Sequence, residues 1–133
     1  MTINQLLQKL EATSPILQAN FGIERESLRV DRQGQLAHTP HPSCLGARSF
    51  HPYIQTDFCE FQMELITPVA KSTTEARRLL GAITDVAGRS IATDEILWPL
   101  SMPPRLKAEE VQVAQLENDF ERHYRNYLAE KYG

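Results

Sequence analysis

Two glutamates, Glu24 and Glu26, lie two positions apart in a stretch that has the pattern of a β-strand. Side chains alternate between the two faces of a strand, so these carboxylates point the same way, roughly 6–7 Å apart for a rise of ~3.3 Å per residue. Like charges at that distance repel each other, so water or a cation must lie between them. A hard divalent cation such as Mg²⁺ suits oxygen ligands of this kind. The alternative is a solvated edge strand with a charged outer face.

A second acidic stretch contains Asp57 and Glu64 and also has a strand pattern. From residue 59 onward, apolar and polar side chains alternate: the apolar face has Cys59, Phe61, Met63 and Leu65, and the polar face has Glu60, Gln62 and Glu64. One unbroken strand would place Asp57 and Glu64 on opposite faces, because an odd number of residues separates them. If both serve one site, Asp57 must lie in a turn or bulge that enters the strand.

Neighbouring strands with their polar faces turned the same way would bring all of these carboxylates onto one surface. The set is Glu24, Glu26, Asp57, Glu60 and Glu64. That many negative charges require compensation, and bound metal ions supply it. Acidic clusters that bind Mg²⁺ can hold ATP phosphates without a glycine-rich loop, and the chain has neither a GxxxxGK[ST] loop nor a GxGxxG fingerprint. Phosphoryl transfer through a metal clamp is therefore a coherent chemical interpretation of the pattern, although the spacing of the carboxylates does not single it out.

The elements that position these residues can be predicted from periodicity. Strands over residues 22–30 and 59–67 are expected in one sheet, and a turn at 31–34 leads from the first of them into a short return strand at 35–37. Residues 38–53, with three prolines, are expected to form an irregular loop.

Helices are predicted on either side of these strands. The first helix has Ile3, Leu6, Leu7 and Leu10 on one face and ends before Ser14-Pro15. A capping box at Ser72–Glu75 begins a second helix over 72–92, and a third is predicted over 107–131. The two later helices should cover the apolar face of the second strand, giving an α+β fold with a mostly antiparallel sheet.

Composition narrows the class of protein. The chain has 133 residues, 41% of them hydrophobic, which favours a single domain. Its net charge is −3 and it has no Lys/Arg cluster, so a nucleic-acid partner is not expected. The sequence contains no run of about 18 apolar residues, so no membrane-spanning segment is expected. Cys44 and Cys59 are predicted to be free thiols in a reducing cytoplasm, and His38, His41 and His51 have no zinc-site spacing.

Four sequence blocks, in order, resemble the glutamate–cysteine ligases (γ-glutamylcysteine synthetases). The first is Gly22-Ile23-Glu24-Arg25-Glu26-Ser27-Leu28-Arg29-Val30, similar to their GIERE-[ST]-LRV signature. The others are Thr56-Asp57-Phe58 with Glu60, then Glu64-Leu65-Ile66-Thr67-Pro68, and then Trp98-Pro99-Leu100-Ser101-Met102-Pro103. The sequences of residues 51–57 and 87–91 most resemble those of the bifunctional glutathione synthases. In those proteins an ATP-grasp domain that adds glycine follows the ligase.

The resemblance implies an ATP-dependent reaction in two steps. ATP would phosphorylate the γ-carboxylate of L-glutamate, and the amine of L-cysteine would then attack the γ-glutamyl phosphate, as the first step of glutathione biosynthesis. In the family, Mg²⁺ (with Mn²⁺ as the alternative) is held at positions that match Glu24, Glu26, Asp57 and Glu64. Phe58 matches a position near the cysteine pocket, and Glu60 matches a recurrent acid to which the resemblance assigns no role.

The resemblance also implies a fold and a domain organisation. Residues 1–133 are expected to be the N-terminal portion of a glutamine-synthetase-like ligase catalytic domain, because family members have several hundred residues. The remainder of the ligase chain would then be needed to complete the site, and the chain alone would be inactive. The alternative is an inactive fragment or metal-binding remnant of such a ligase.

Overall fold

A four-stranded sheet and three helices make up the regular structure of the described residues. The computed structural model of the chain describes residues 1–13, 19–116 and 118–132. The helices are α1 (Ile3–Thr13), α2 (Thr73–Ser90) and α3 (Asp119–Tyr132), and the strands are β1 (Glu24–Asp31), β2 (Ile54–Thr56), β3 (Gln62–Ile66) and β4 (Glu95–Leu97). The predicted helix break at Ser14-Pro15 lies outside the described residues.

The sheet is antiparallel throughout, with the strand order β2–β3–β1–β4. This arrangement confirms the α+β class and the prediction that the two acidic strands share one sheet. β1 pairs with β3 along Glu24–Leu28 and with β4 only along Arg29–Asp31, so the part that carries Glu24 and Glu26 has a strand neighbour on one side.

The second acidic stretch is a β-hairpin rather than one long strand. β3 begins at Gln62, three residues later than predicted, and residues 57–61 form the loop that joins it to β2. The N–H of Gln62 donates to the C=O of Cys59 at 2.9 Å and closes the turn. Phe61, Met63 and Leu65 are buried, as their alternation predicts.

The predicted second helix is confirmed and packs on β3. The side chain of Ser72 accepts a hydrogen bond from the N–H of Glu75, which is the predicted cap. The apolar side of α2 meets the buried face of the sheet, and the cluster consists of Leu45, Ile54, Met63, Leu65, Ala87 and Ile91, with Leu80, Ile83 and Leu97 packed against it. Helix α2 therefore covers the face of β3 opposite to Glu64.

The predicted helix over 107–131 is wrong in its first half. A single 3₁₀ turn spans Ala108–Glu110, and α3 begins only at Asp119. Residues 111–116 are not helical, because the peptide groups of residues 112–115 bond to the hairpin loop, with Ala114 N–H donating to Phe58 C=O at 2.9 Å. Helix α3 buries none of its described residues, so it does not cover the apolar face of β3.

The turn after β1 follows the prediction, but the return strand is reduced to one bridge. The Asp31 carboxylate accepts hydrogen bonds from the N–H groups of Gln33 and Gln35, both at 2.8 Å, and Gly34 adopts a φ of 80°. Leu36 then makes an isolated antiparallel bridge with Val30.

Two further expectations concern the thiols and the helices. Cys44 and Cys59 are both free, as predicted. None of the helices in the described ranges is long and apolar enough to cross a membrane.

Candidate functional site

Three glutamates share one face of the central strand pair. Glu26 on β1 is directly opposite Glu64 on β3, and Glu24 lies on the same face one pleat along, opposite Ile66. Glu24 and Glu26 are exposed and Glu64 is half-buried. Directly opposed like charges destabilise a sheet. We call Glu24, Glu26 and Glu64, with the neighbouring Asp57, the acidic face.

Asp57 joins this face from the hairpin loop, directly after β2. The side-chain amide of Gln62 links the carboxylate of Glu26 on β1 with that of Asp57 in the hairpin loop. Its Nε2 donates both to Glu26 Oε2 at 2.7 Å and to Asp57 Oδ2 at 2.9 Å. The parity argument from sequence is therefore correct: Asp57 can reach the site only because it precedes the strand in a turn.

The clustering of carboxylates affects the pKa of Glu64. Burial raises the pKa of its carboxyl group, and the charges of Asp57, Glu24 and Glu26 raise it further, in that order. Arg125 acts in the opposite direction. At Glu64 the three neighbouring carboxylates therefore outweigh the opposing charge of Arg125.

Glu60 does not belong to the acidic face, although it was predicted among the converging carboxylates. Arg48 Nη1 donates to both of its carboxylate oxygens, at 2.6 and 2.8 Å, and the N–H of Gln115 donates to Oε2 at 3.2 Å. Its charge is therefore already paired, because it lies in the hairpin loop and not at the polar position that strand alternation assigned to it.

Two residues of the site were missed at the level of sequence. Gln62 lay at a polar position of the strand pattern, so a search for hydrogen-bond donors between acids could have found it. Arg125 donates to the C=O of Asp57 and to Glu121 Oε1. No sequence signal indicates this contact, because 68 residues separate Arg125 from Asp57.

Phe58 and the fourth sequence block lie beside the acidic face. Phe58 is half-buried in the hairpin loop, next to Asp57. Trp98 N–H donates to the C=O of Leu28 at 2.8 Å, which brings the segment after β4 alongside β1. A groove of about 190 Å³ results, lined by Glu26, Ser27, Leu28, Gln62, Trp98, Leu100, Ser101 and Pro103.

The donor set of the acidic face fits a hard divalent cation. Its four side chains offer carboxylate oxygens alone, the ligands that Mg²⁺ and Mn²⁺ accept. Within residues 1–13, 19–116 and 118–132, no three His, Cys, Asp or Glu side chains already form a metal-holding group. Of the loop histidines, His41 is buried and its Nδ1 lies 2.8 Å from Thr56 Oγ1.

Comparison with known protein sequences matches this chain to proteins of glutathione biosynthesis. The profile of the glutamate-cysteine ligase family matches residues 4–133. The "glutathione biosynthesis bifunctional protein GshAB" of Streptococcus thermophilus is 96% identical over all 133 residues, and that of Pasteurella multocida is 45% identical over 134 aligned positions. The chain spans 18% of the length of each of these relatives.

Solved structures agree with the sequence comparison. The bifunctional glutathione synthetase of Pasteurella multocida superposes with a TM-score of 0.84 at 43% identity, covering 99% of this chain and 17% of that one. The glutamate–cysteine ligase of Francisella tularensis, solved in complex with AMP, gives a TM-score of 0.81 at 34% identity, covering 87% of this chain and 24% of that one. On the family match and these likenesses, the chain belongs to the glutamate–cysteine ligase family.

Proposed function

We propose that this chain forms the N-terminal portion of the catalytic domain of an ATP-dependent glutamate–cysteine ligase. The γ-phosphoryl group of ATP passes to the γ-carboxylate of L-glutamate and ADP leaves. The amine of L-cysteine then attacks the γ-glutamyl phosphate, loses a proton and displaces inorganic phosphate, which forms γ-glutamylcysteine for glutathione biosynthesis. The observation that supports this proposal most strongly is the acidic face, where Glu26 and Glu64 are opposed in register.

Glu24, Glu26, Asp57 and Glu64 would hold Mg²⁺, or Mn²⁺ in its place. With a divalent cation bound, these residues would place positive charge beside the phosphate groups of ATP, which would stabilise the charge that develops in phosphoryl transfer. Gln62 keeps the carboxylates of Glu26 and Asp57 on the same side of the sheet before any cation binds. Burial and then the neighbouring carboxylates raise the pKa of Glu64, and a cation bound there would relieve the repulsion from those carboxylates.

The comparisons support the substrates and the setting of the reaction. The Francisella tularensis ligase was solved with AMP, which supports ATP as the nucleotide substrate here. Phe58 is proposed to border the pocket for L-cysteine, since it follows Asp57 in the same loop. Two free thiols suit the reducing cytoplasm in which we place the enzyme. The relatives are named as bifunctional proteins, which also supports a bifunctional enzyme.

The chain alone is not expected to make γ-glutamylcysteine. Phosphoryl transfer depends on aligning all of its reactants, and the described carboxylates do not yet form a three-ligand metal group. The relatives that it matches are more than five times longer, so we propose that the remainder of the ligase supplies the other contacts. Measurable turnover by residues 1–133 would contradict this part of the proposal.

The test is Glu24→Gln in a full-length ligase that contains this stretch, such as the 96% identical Streptococcus thermophilus protein. The substitution keeps the side-chain volume and removes one charge from the acidic face. We expect kcat for ATP-dependent γ-glutamylcysteine formation to fall by about 100-fold or more, with a changed dependence on Mg²⁺ concentration.

Glu109→Gln is the matched control, because Glu109 is exposed in the 3₁₀ turn and should leave the rate unchanged. A normal rate for Glu24→Gln at limiting Mg²⁺ would remove this strand from the metal site.

A further inference from the structure

Glu60 is the most fully bonded residue of the hairpin loop that carries Asp57 and Phe58. Its N–H donates to Gln112 C=O at 2.8 Å, and its own C=O accepts from Arg29 Nη2 at 3.0 Å. Its carboxylate accepts from Arg48 and from the N–H of Gln115. All the polar groups of Glu60 therefore have partners, although the residue lies outside the acidic face.

The partner Arg48 connects Glu60 to the other end of the loop. Its C=O accepts a hydrogen bond at 3.0 Å from the N–H of Thr56, the residue directly before Asp57. The side chains of Arg48 and Glu60 are only 17% and 15% exposed, so solvent weakens this ion pair less than a surface pair. One ion pair thus closes the loop across its base, from residue 56 to residue 60.

The extended segment after the 3₁₀ turn holds the loop from its outer side. Ala114 N–H donates to Phe58 C=O at 2.9 Å, and Cys59 forms an isolated antiparallel bridge with Val113. The contact of Gln115 N–H with the Glu60 carboxylate adds a third attachment. Removing the carboxylate would therefore weaken the contact with Arg48 and the contact with Gln115 together.

We propose that Glu60 is a positioning residue for the metal site. Through Arg48 and the 112–115 segment, it fixes the loop so that the carboxylate of Asp57 stays on the acidic face and Phe58 stays beside it. This inference rests on the proposed function, since it assigns Asp57 to a cation. Groups that orient metal ligands typically contribute 10- to 100-fold to metal affinity.

The experiment uses the full-length ligase with Glu60→Gln, without substrates. Mn²⁺ binding is followed by the electron paramagnetic resonance signal of the free ion, and the sites lost in Glu24→Gln define those of the acidic face. We expect Mn²⁺ to bind these sites about tenfold more weakly in Glu60→Gln. Without metal, hydrogen–deuterium exchange at the amides of residues 57–61 should become faster.

Asp31→Ala is the control, because it removes two hydrogen bonds from the turn after β1 and leaves the hairpin loop intact. It should lower the melting temperature without changing Mn²⁺ affinity. Arg48→Lys keeps the charge, but the lysine side chain is one atom shorter and reaches Glu60 less well, so it should shift both readouts in the same direction by less. It replaces Glu60→Gln in the test if that variant does not fold.

The outcomes separate this inference from the proposed function. Normal Mn²⁺ affinity and normal loop exchange in Glu60→Gln would overturn the positioning role. An equal loss of affinity in Asp31→Ala would also overturn it, because general destabilisation would then be the cause. If Glu24→Gln itself leaves Mn²⁺ binding and activity unchanged, the proposed function fails first.

Discussion

A buried arginine, Arg29, lies on the face of β1 opposite to the acidic face. Arg29 is 1% exposed and donates to Thr39 Oγ1 at 2.6 Å and to Glu95 Oε2 at 3.3 Å, in addition to Glu60 C=O. Burial lowers the pKa of Arg29, and the charge of Glu95 opposes that shift. A buried charge with one partner removed is costly, so the conformation that satisfies Arg29 is strongly specified.

His41 should make the chain less stable in mild acid. Burial, followed by the charges of Arg48 and Arg29, lowers its pKa from 6.5 to about 4. The unfolded state therefore binds the proton first, and stability is lost as the pH falls from 6.5 towards 4. The loss from this residue should reach about 3 kcal/mol by pH 4.

The measurement is the free energy of unfolding of wild type and His41→Gln between pH 7 and pH 4. Glutamine is a polar side chain of similar length that does not titrate. The difference between the two proteins should move in favour of the variant as the pH falls. Parallel pH profiles would show that His41 is not the titrating group.

Repulsion between Glu26 and Glu64 should lower the thermal stability of the chain. Without divalent cations, Glu64→Gln should unfold at the same or a higher temperature than wild type, because Glu64 is opposed by Glu26. Glu109→Gln, away from the acidic face, should not change the melting temperature. In a chelating buffer, marked destabilisation by Glu64→Gln would mean that the carboxylates already have compensating partners.

At the scale of elements, sequence patterns correctly predicted the strands and turns that are determined by residues close together in the chain. Alternation identified β1 and β3 and the buried side of β3, and the parity of Asp57 and Glu64 predicted a turn between them. The extended segment at 112–115 could not be predicted in this way. Its partner is the hairpin loop more than 50 residues earlier in the chain, and that long-range pairing overrides the local helix signals.

Helix α2 has the clearest local determinant, its N-terminal cap. Ser72→Ala should lower the free energy of unfolding by about 1 kcal/mol, because the N–H of Glu75 loses its acceptor. Thr73→Ala is the matched control, since Thr73 is exposed in the first turn and is not the cap. Chemical denaturation of both variants measures the difference, and equal effects would mean that the cap does not stabilise the helix.

At the scale of the whole molecule, the sheet brings two distant acidic stretches together on one face. Strand order explains how: β1 and β3 are adjacent inner strands, so their polar positions meet across one ladder. The chain spans 18% of the length of its relatives, and the other groups of the active site are proposed to come from the remainder of the ligase.

The central claim is that Glu24, Glu26, Asp57 and Glu64 together hold the divalent cations of the ligase. The most direct test is the anomalous scattering of Mn²⁺ in crystals of a full-length ligase that contains this stretch, grown with Mn²⁺ and a non-hydrolysable ATP analogue. We predict anomalous peaks within about 2.5 Å of carboxylate oxygens from both β1 and the β2–β3 hairpin. Well-occupied Mn²⁺ peaks elsewhere, with no ligand from any of these four residues, would contradict the account.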